Sequence, residues 1–136
     1  MDVIIDANIL WYYLRRSEPY FEKVSEFLSD VVENKYSGLI SLTTLREIIY
    51  VAKRKKITNE SIIEFLKKIN ELPNIKIISP TIKVITMALE IEKDDIEYSD
   101  SELAAFCLLN IVEAIVTVNE EDFKKYNIKI INPTSS

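Results

Sequence analysis

Histidine and glutamine are absent from the 136 residues, and glycine, cysteine and tryptophan occur once each, as Gly38, Cys107 and Trp11. Without histidine there is no Ser-His-Asp triad, no imidazole zinc site and no use of the commonest general base. A single cysteine excludes an internal disulfide framework and any thiolate metal cluster. One glycine is too few for a glycine-rich phosphate loop. The opening Met1-Asp2-Val3-Ile4-Ile5-Asp6 lacks the basic and apolar regions of a signal peptide. The longest mostly apolar stretch, Leu103 to Val118, contains Asn110 and Glu113 and is too short for a hydrocarbon layer of about 30 Å. The expectation is a cytoplasmic protein with no membrane partner, whose chemistry rests on carboxylates, hydroxyls, amides, lysines and arginines.

What is present is a hydrophobic fraction of 48%, with 22 acidic against 17 basic residues and a net charge of −5. A chain of this length buries about 68–70% of its unfolded surface, enough for one self-supporting core. No repeat or linker divides it. The reading is a single domain over residues 1–132 and a short tail at 133–136.

Short β-branched runs alternate with helical spacing. Val3-Ile4-Ile5 reads as a buried strand ending at a polar turn, Asp6-Ala7-Asn8. Residues 19–34 carry apolar positions at helical spacing, and 37–41 form a second strand. Helices follow over 43–55 and from Thr58 to Pro73, which stops the second of them. A third strand covers Ile75 to Ile78, and Ser79-Pro80 is taken to open a helix running to about Lys93. Ser99 and Glu102 have the spacing of a capping box opening a helix to about Asn110, apolar almost all round and therefore sandwiched inside the domain. Strands at 114–118 and 128–131 complete the pattern. Strands that are apolar on both faces and alternate with helices give an α/β fold: a three-layer α/β/α sandwich around a parallel sheet of about four to five strands.

In an open parallel sheet, ligands bind at the carboxyl ends of the strands. Asp6 and Asn8 stand at the first such end. Thr43 and Thr44, with Glu47 one turn on, follow the second. Thr117, Asn119, Glu120, Glu121 and Asp122 follow the fourth, and Asp100 heads the apolar helix before it. Parallel strands bring Asp6, Glu47, Asp100 and Asn119 toward one edge. Clustered oxygen donors without histidine or cysteine suit a hard divalent cation, Mg²⁺ or Mn²⁺, which relieves their mutual repulsion. Such a cation activates water and neutralises charge in phosphoryl displacement, so phosphodiester hydrolysis is the natural reaction class.

These segments resemble the PIN-domain family, in particular its small prokaryotic VapC-like toxin ribonucleases. The resemblance runs through Ile4-Ile5-Asp6-Ala7-Asn8-Ile9-Leu10, then Glu47 within Thr43 to Tyr50, then Tyr98-Ser99-Asp100-Ser101-Glu102-Leu103-Ala104-Ala105, and finally Ile115 to Phe123. It implies a Mg²⁺- or Mn²⁺-dependent endoribonuclease acting on single-stranded RNA. Asp6, Glu47 and Asp100 would be its metal-binding acids, with Thr117 and Asn119 completing the catalytic set. Asn119 stands where many members carry a fourth acid, and Asp122 and Glu102 are further candidate ligands. The resemblance also implies a homodimer and a cognate antitoxin partner.

Plainer readings stand beside these. Asp6 can end a strand by turn chemistry, and Asp100 can serve the dipole of its helix. Glu102 reads first as the capping partner of Ser99. Cys107 reads as a core residue. Trp11-Tyr12-Tyr13 reads as packing before base stacking, and Lys53-Arg54-Lys55-Lys56 as a solvated helix end before a phosphate contact. Two alternatives remain open: an RNA-processing nuclease of the same fold, and a catalytically weak or inactive binding module.

Overall fold

The computed structural model describes residues 1–92 and 98–135. Strands β1 (Asp2–Ile5), β2 (Ser37–Ser41), β3 (Ile75–Ile78), β4 (Ala114–Val116) and β5 (Ile130–Ile131) form one sheet in the order β3-β2-β1-β4-β5, and every pairing is parallel. Helices α1 (Ala7–Arg15), α2 (Phe21–Val32), α3 (Leu42–Arg54), α4 (Asn59–Glu71), α5 (Ile82–Ile91) and α6 (Tyr98–Leu108) connect them, with two 3-10 turns at Glu120–Asp122 and Lys124–Tyr126. From β1 the chain builds the sheet to one side through β2 and β3, and to the other through β4 and β5. The switch point, where such sheets open a crevice, lies between β1 and β4.

Two cores flank the sheet, because consecutive side chains of a strand point to opposite faces. Val3, Ile5, Ala114 and Val116 join Ile9, Leu10, Val24, Phe27, Ile48 and Phe65 on the α1–α4 side. Ile4 and Ile115 join Val84, Ala88, Leu103, Phe106 and Phe123 on the α5–α6 side. Every residue of α6 from Ser101 to Cys107 is buried, as an all-round apolar helix requires. Burial pushes the Cys107 thiol up to about 12, so it stays protonated as packing.

With one glycine, the left-handed backbone positions fall mainly to asparagine, whose short polar side chain tolerates them. Asn34, Asn74, Asn110 and Asn127 all have positive φ, as do Arg16 and Lys56. Gly38 has a different reason to be glycine. A Cβ there would stand 3.1 Å from Ile5 Cδ1, in the close approach of β2 to β1.

Several boundaries differ from expectation. The polar turn after β1 is the start of α1, with Asp6 as its N-cap; the cap and the turn use the same side-chain chemistry. Pro80 precedes α5 instead of opening it, because Thr81 caps that helix by accepting from the Val84 amide. Lys93, the expected end of α5, lies outside the described residues. Ser99 lies inside α6, and the Glu102 carboxylate accepts hydrogen bonds from Ser41 and Thr43 in place of a reciprocal cap with Ser99. Residues 133–135 form a turn on Asn132, whose Oδ1 accepts from both the amide and the hydroxyl of Thr134. No helix among the described residues is long and apolar enough to cross a membrane.

Candidate active site at the β1/β4 crevice

Asp6 ends β1 at the switch point. Its amide donates to the Val116 carbonyl at 3.0 Å, which carries the sheet register one residue past the strand and fixes the Cα. Its extended backbone then turns into α1, and Oδ1 accepts from the Ala7 amide at 2.7 Å. The other oxygen, Oδ2, accepts from the Thr117 hydroxyl at 2.8 Å and from Asn8 Nδ2 at 3.3 Å. Asp6 as a whole is buried, 8% exposed.

Thr117, fully buried one residue past β4, is the hub of this cradle. Its hydroxyl gives its one proton to Asp6 and accepts from Asn8 Nδ2 and from the Asn119 amide, both at 3.1 Å. A hydroxyl has one donor and two acceptor positions, so all three are used. Asn8 closes the ring: its Oδ1 accepts from the Val118 amide at 3.3 Å, which fixes the orientation of its amide. The ends of β1 and β4 are thus stitched together by side chains 109 to 111 positions apart in sequence.

Burial pushes the Asp6 carboxyl above its ordinary value, and the charge of Asp122 adds to the rise; the bonds from Thr117 and Ala7 act in the opposite direction. Asp122 itself is exposed, in the 3-10 turn after β4, and Asn119 is exposed just before that turn. Glu47 projects from the second turn of α3, half-buried, into a cleft of about 220 Å³ that Asn8 and Trp11 also line. Asp100 stands half-buried in the first turn of α6.

Glu102, 1% exposed, holds that end of α6 to the rest of the edge. Its carboxylate accepts from Ser41 Oγ at 2.8 Å and Thr43 Oγ1 at 3.0 Å, joining α6 to the end of β2 and the start of α3. Beside it, burial and the Glu102 charge push the Tyr98 hydroxyl up to about 12.

The structure therefore brings Asp6, Thr117 and the Asn119 backbone into one network, with Asp122 in electrostatic reach of Asp6. Glu47 shares the adjoining cleft with Asn8. Asp100 and Glu102 share the amino end of α6, where Glu102 is turned into the protein. Asn8 is the bridging residue that sequence reasoning left out of the catalytic set. Its signal was an amide two positions past a strand-ending aspartate, opposite a threonine at another strand end. Among the described residues, no group of three or more Asp, Glu or Cys side chains is gathered closely enough to form a metal cage. The donor chemistry still fits a hard divalent cation: the available groups are oxygens, and the buried carboxylate carries a charge that burial and Asp122 both disfavour.

The comparisons with known proteins agree with this architecture. The chain is similar in fold to VapBC2 from Rickettsia felis, solved bound to a DNA fragment from its promoter. The TM-score is 0.75 at 20% identity, covering 97% of this chain and 98% of that one. It is similar to VapBC-1 from nontypeable Haemophilus influenzae, with a TM-score of 0.73 at 18% identity over 99% and 100% of the two chains. It is also similar to the sarcin-ricin loop cleaving toxin VapC20 of Mycobacterium tuberculosis, with a TM-score of 0.65 at 10% identity over 83% and 86%. No curated protein sequence matches the chain. The family model of the PIN domain matches residues 3–129, and with this topology and coverage the chain belongs to the PIN-domain family.

Proposed function

We propose that the protein is a divalent-metal-dependent endoribonuclease that hydrolyses phosphodiester bonds in single-stranded RNA, as the toxin of a toxin–antitoxin pair in the cytoplasm. The observation that carries this reading is Asp6, a buried carboxylate held by Thr117, Asn8 and the Ala7 amide at the switch point of a PIN fold. Asp6, Glu47 and Asp100 would hold Mg²⁺ or Mn²⁺. Mg²⁺ is commonly bound through one or two carboxylates, with water and substrate phosphate filling the remaining positions, so a protein-only cage is not required. When bound, the cation supplies charge neutralisation at phosphate and a lowered pKa for water.

The chain's own residues do the positioning. Thr117 keeps its proton on Asp6 Oδ2 and so leaves Oδ1, with its single backbone donor, as the less encumbered oxygen. Asn8 prevents the two strand ends from separating. Asn119 and Asp122 stand exposed beside the end of β4, where their oxygens would orient water or hold a second ion. Both Glu102 oxygens are engaged by hydroxyls, which supports a bracing role for it over a ligand role.

Several of the similar solved structures, VapBC2 and VapBC-1 among them, are toxin–antitoxin complexes, which supports an antitoxin partner here. Ile82 and Leu89, exposed seven residues apart on one side of α5, support self-association as a homodimer. The deciding experiment is Asp6→Asn. It should abolish Mg²⁺- or Mn²⁺-dependent cleavage of single-stranded RNA while leaving the circular dichroism spectrum unchanged. Undiminished cleavage would overturn the assignment. Growth arrest on expression, relieved by a small protein encoded beside the gene, separates a toxin from an RNA-processing nuclease.

A further inference from the structure

Two helices leave the site side by side with matching rows of side chains. α1 and α3 start at the carboxyl ends of neighbouring parallel strands, bury Ile9, Leu10 and Ile48 in the same core and pack against each other. They therefore run in the same sense down one flank of the sheet. Positions i, i+3 and i+7 of a helix fall on one face. On α1 these positions are Asn8, Trp11 and Arg15; on α3 they are Glu47, Tyr50 and Arg54. Each row reads, from the active-site edge downward, a polar site residue, an aromatic ring and an arginine. At about 1.5 Å per residue each arginine lies about 10 Å along its helix from Asn8 or Glu47.

The geometry bears out the pairing. Arg15 lies over the Trp11 ring at 5.9 Å and Arg54 over the Tyr50 ring at 5.7 Å. The cleft between the helices is lined by Ala7, Asn8, Trp11 and Tyr12 from α1 and by Glu47, Ile48 and Val51 from α3, while Arg15, Tyr50 and Arg54 lie outside this lining, exposed on the same two helices. Tyr50 is 64% exposed. Among the described residues, the ion pairs use Lys23, Lys35 and Lys124, and neither Arg15 nor Arg54 meets a carboxylate. Tyr13 and Tyr12, by contrast, are engaged in ring contacts with Phe21 and Tyr20.

We infer that the α1/α3 cleft, together with the exposed helix surface that carries Arg15, Tyr50 and Arg54, is a track for single-stranded RNA. Bases stack at Trp11 and Tyr50, phosphates meet Arg15 and Arg54, and the strand is delivered to Asp6 and Glu47. The inference rests on the nuclease reading above and names the substrate path of that site. An acidic peptide would use the arginines and leave the exposed tyrosine face without a partner. A nucleic acid duplex could not present its base faces. A single strand uses both groups, since every base has a face to stack and every link a charge. The net charge of −5 makes such local cations the means by which a polyanion is held.

Trp11 is the only tryptophan, so its fluorescence reports on the track directly. A ten-nucleotide single-stranded RNA, titrated in EDTA at low salt, should quench it saturably, while a duplex of the same length should not. Arg15→Ala with Arg54→Ala should raise Kd at least tenfold. The same pair should make the dependence of log K on log salt shallower by about 1.4, the value for two phosphate contacts on a single strand. Tyr50→Ala should raise Kd at least fivefold. All three side chains lie at the protein surface, and circular dichroism checks that the variants fold. An unchanged Kd in the double arginine variant, equal quenching by duplex, or displacement of the RNA by an equal charge of poly-glutamate would overturn the track. Cleavage in Mn²⁺ is scored separately. If Asp6→Asn still cleaves, the nuclease reading fails while the binding result stands. If cleavage is normal but the arginine pair leaves Kd unchanged, only the track fails.

Discussion

The two halves of the candidate site's edge are built by different means. At the β1/β4 half, Asp6 and Thr117 directly follow the last sheet positions, and four side-chain bonds among Asp6, Asn8, Thr117 and Val118 lock them. At the other half, Glu47 rides on the second turn of α3 and Asp100 on the first turn of α6, and those helices are joined through the Glu102 carboxylate and the Ser41 and Thr43 hydroxyls. One half is placed by backbone register, which does not adjust. The other is carried on helix turns, whose packing is tied across the edge by the buried Glu102 carboxylate.

The sharpest break of this contrast is Glu102→Ala. It leaves the Ser41 and Thr43 hydroxyls without their acceptor in a buried place and opens a cavity, at a cost of about 2–4 kcal/mol in unfolding free energy. That is a large share of the roughly 5–15 kcal/mol typical of a domain. Glu102→Gln keeps an acceptor, and the hydroxyls can rotate to meet its amide, so denaturant midpoint and Mn²⁺ binding should stay near those of the wild type. If Gln keeps the denaturant midpoint yet loses Mn²⁺ binding, Glu102 is a ligand and the brace account fails.

On the strand-end half, Thr117→Val keeps shape and removes the hydroxyl. Asn8 and the Asn119 amide lose an acceptor and Asp6 a donor, for about 1–3 kcal/mol of stability. Activity should fall roughly 10–100-fold, the usual effect of deleting the group that orients a metal-binding side chain. A fall in kcat with little change in the circular dichroism spectrum would place the loss in the site. An unchanged rate would mean that backbone register alone holds Asp6.

How far these halves could be read from sequence follows the same division. The β-branched runs Val3-Ile4-Ile5 and Ile75 to Ile78, and the strand-ending Asp6, were legible because strand periodicity and burial are local properties. α1 was hidden because its cap, Asp6, and its aromatic run Trp11-Tyr12-Tyr13 look like a turn and a strand. The Ser99/Glu102 spacing pointed to a local cap, but Glu102 bonds Ser41, 61 positions away, a contact no local pattern contains. Asn8 was visible within a motif, yet its bridging role exists only once β4 lies beside β1.

The raised Asp6 pKa gives the strand-end half a pH signature. The folded state holds this proton more tightly than the unfolded chain, whose value is near 3.8. Between 3.8 and the folded pKa the native state binds the extra proton, so metal-free stability falls as pH rises through that window and then levels. One proton limits the slope to about 1.4 kcal/mol per pH unit. Urea midpoints in EDTA should show this decline in the wild type and lose it in Asp6→Asn, and Mn²⁺ should raise the wild-type midpoint at neutral pH. A decline of the same size in Asp6→Asn would assign the titration to another group.

The smallest effect is expected at the mouth, where Asn119 is exposed and tied to the cradle only through its backbone amide. Asn119→Asp adds a charge near Asp6 without disturbing Thr117, whose acceptor contact is with that amide. In a solvated position such a charge is worth about 1 kcal/mol at close range, which corresponds to a gain of about fivefold in Mn²⁺ affinity, and salt should screen it away. Calorimetric titration with Mn²⁺ at low and high salt measures both. A gain far above tenfold that survives salt would mean the side chain at 119 touches the ion itself, so the strand-end half reaches past Thr117. No gain at either salt concentration would place the ion beyond reach of this mouth, toward Glu47 and Asp100, and the half fixed by strand register would then end at the threonine.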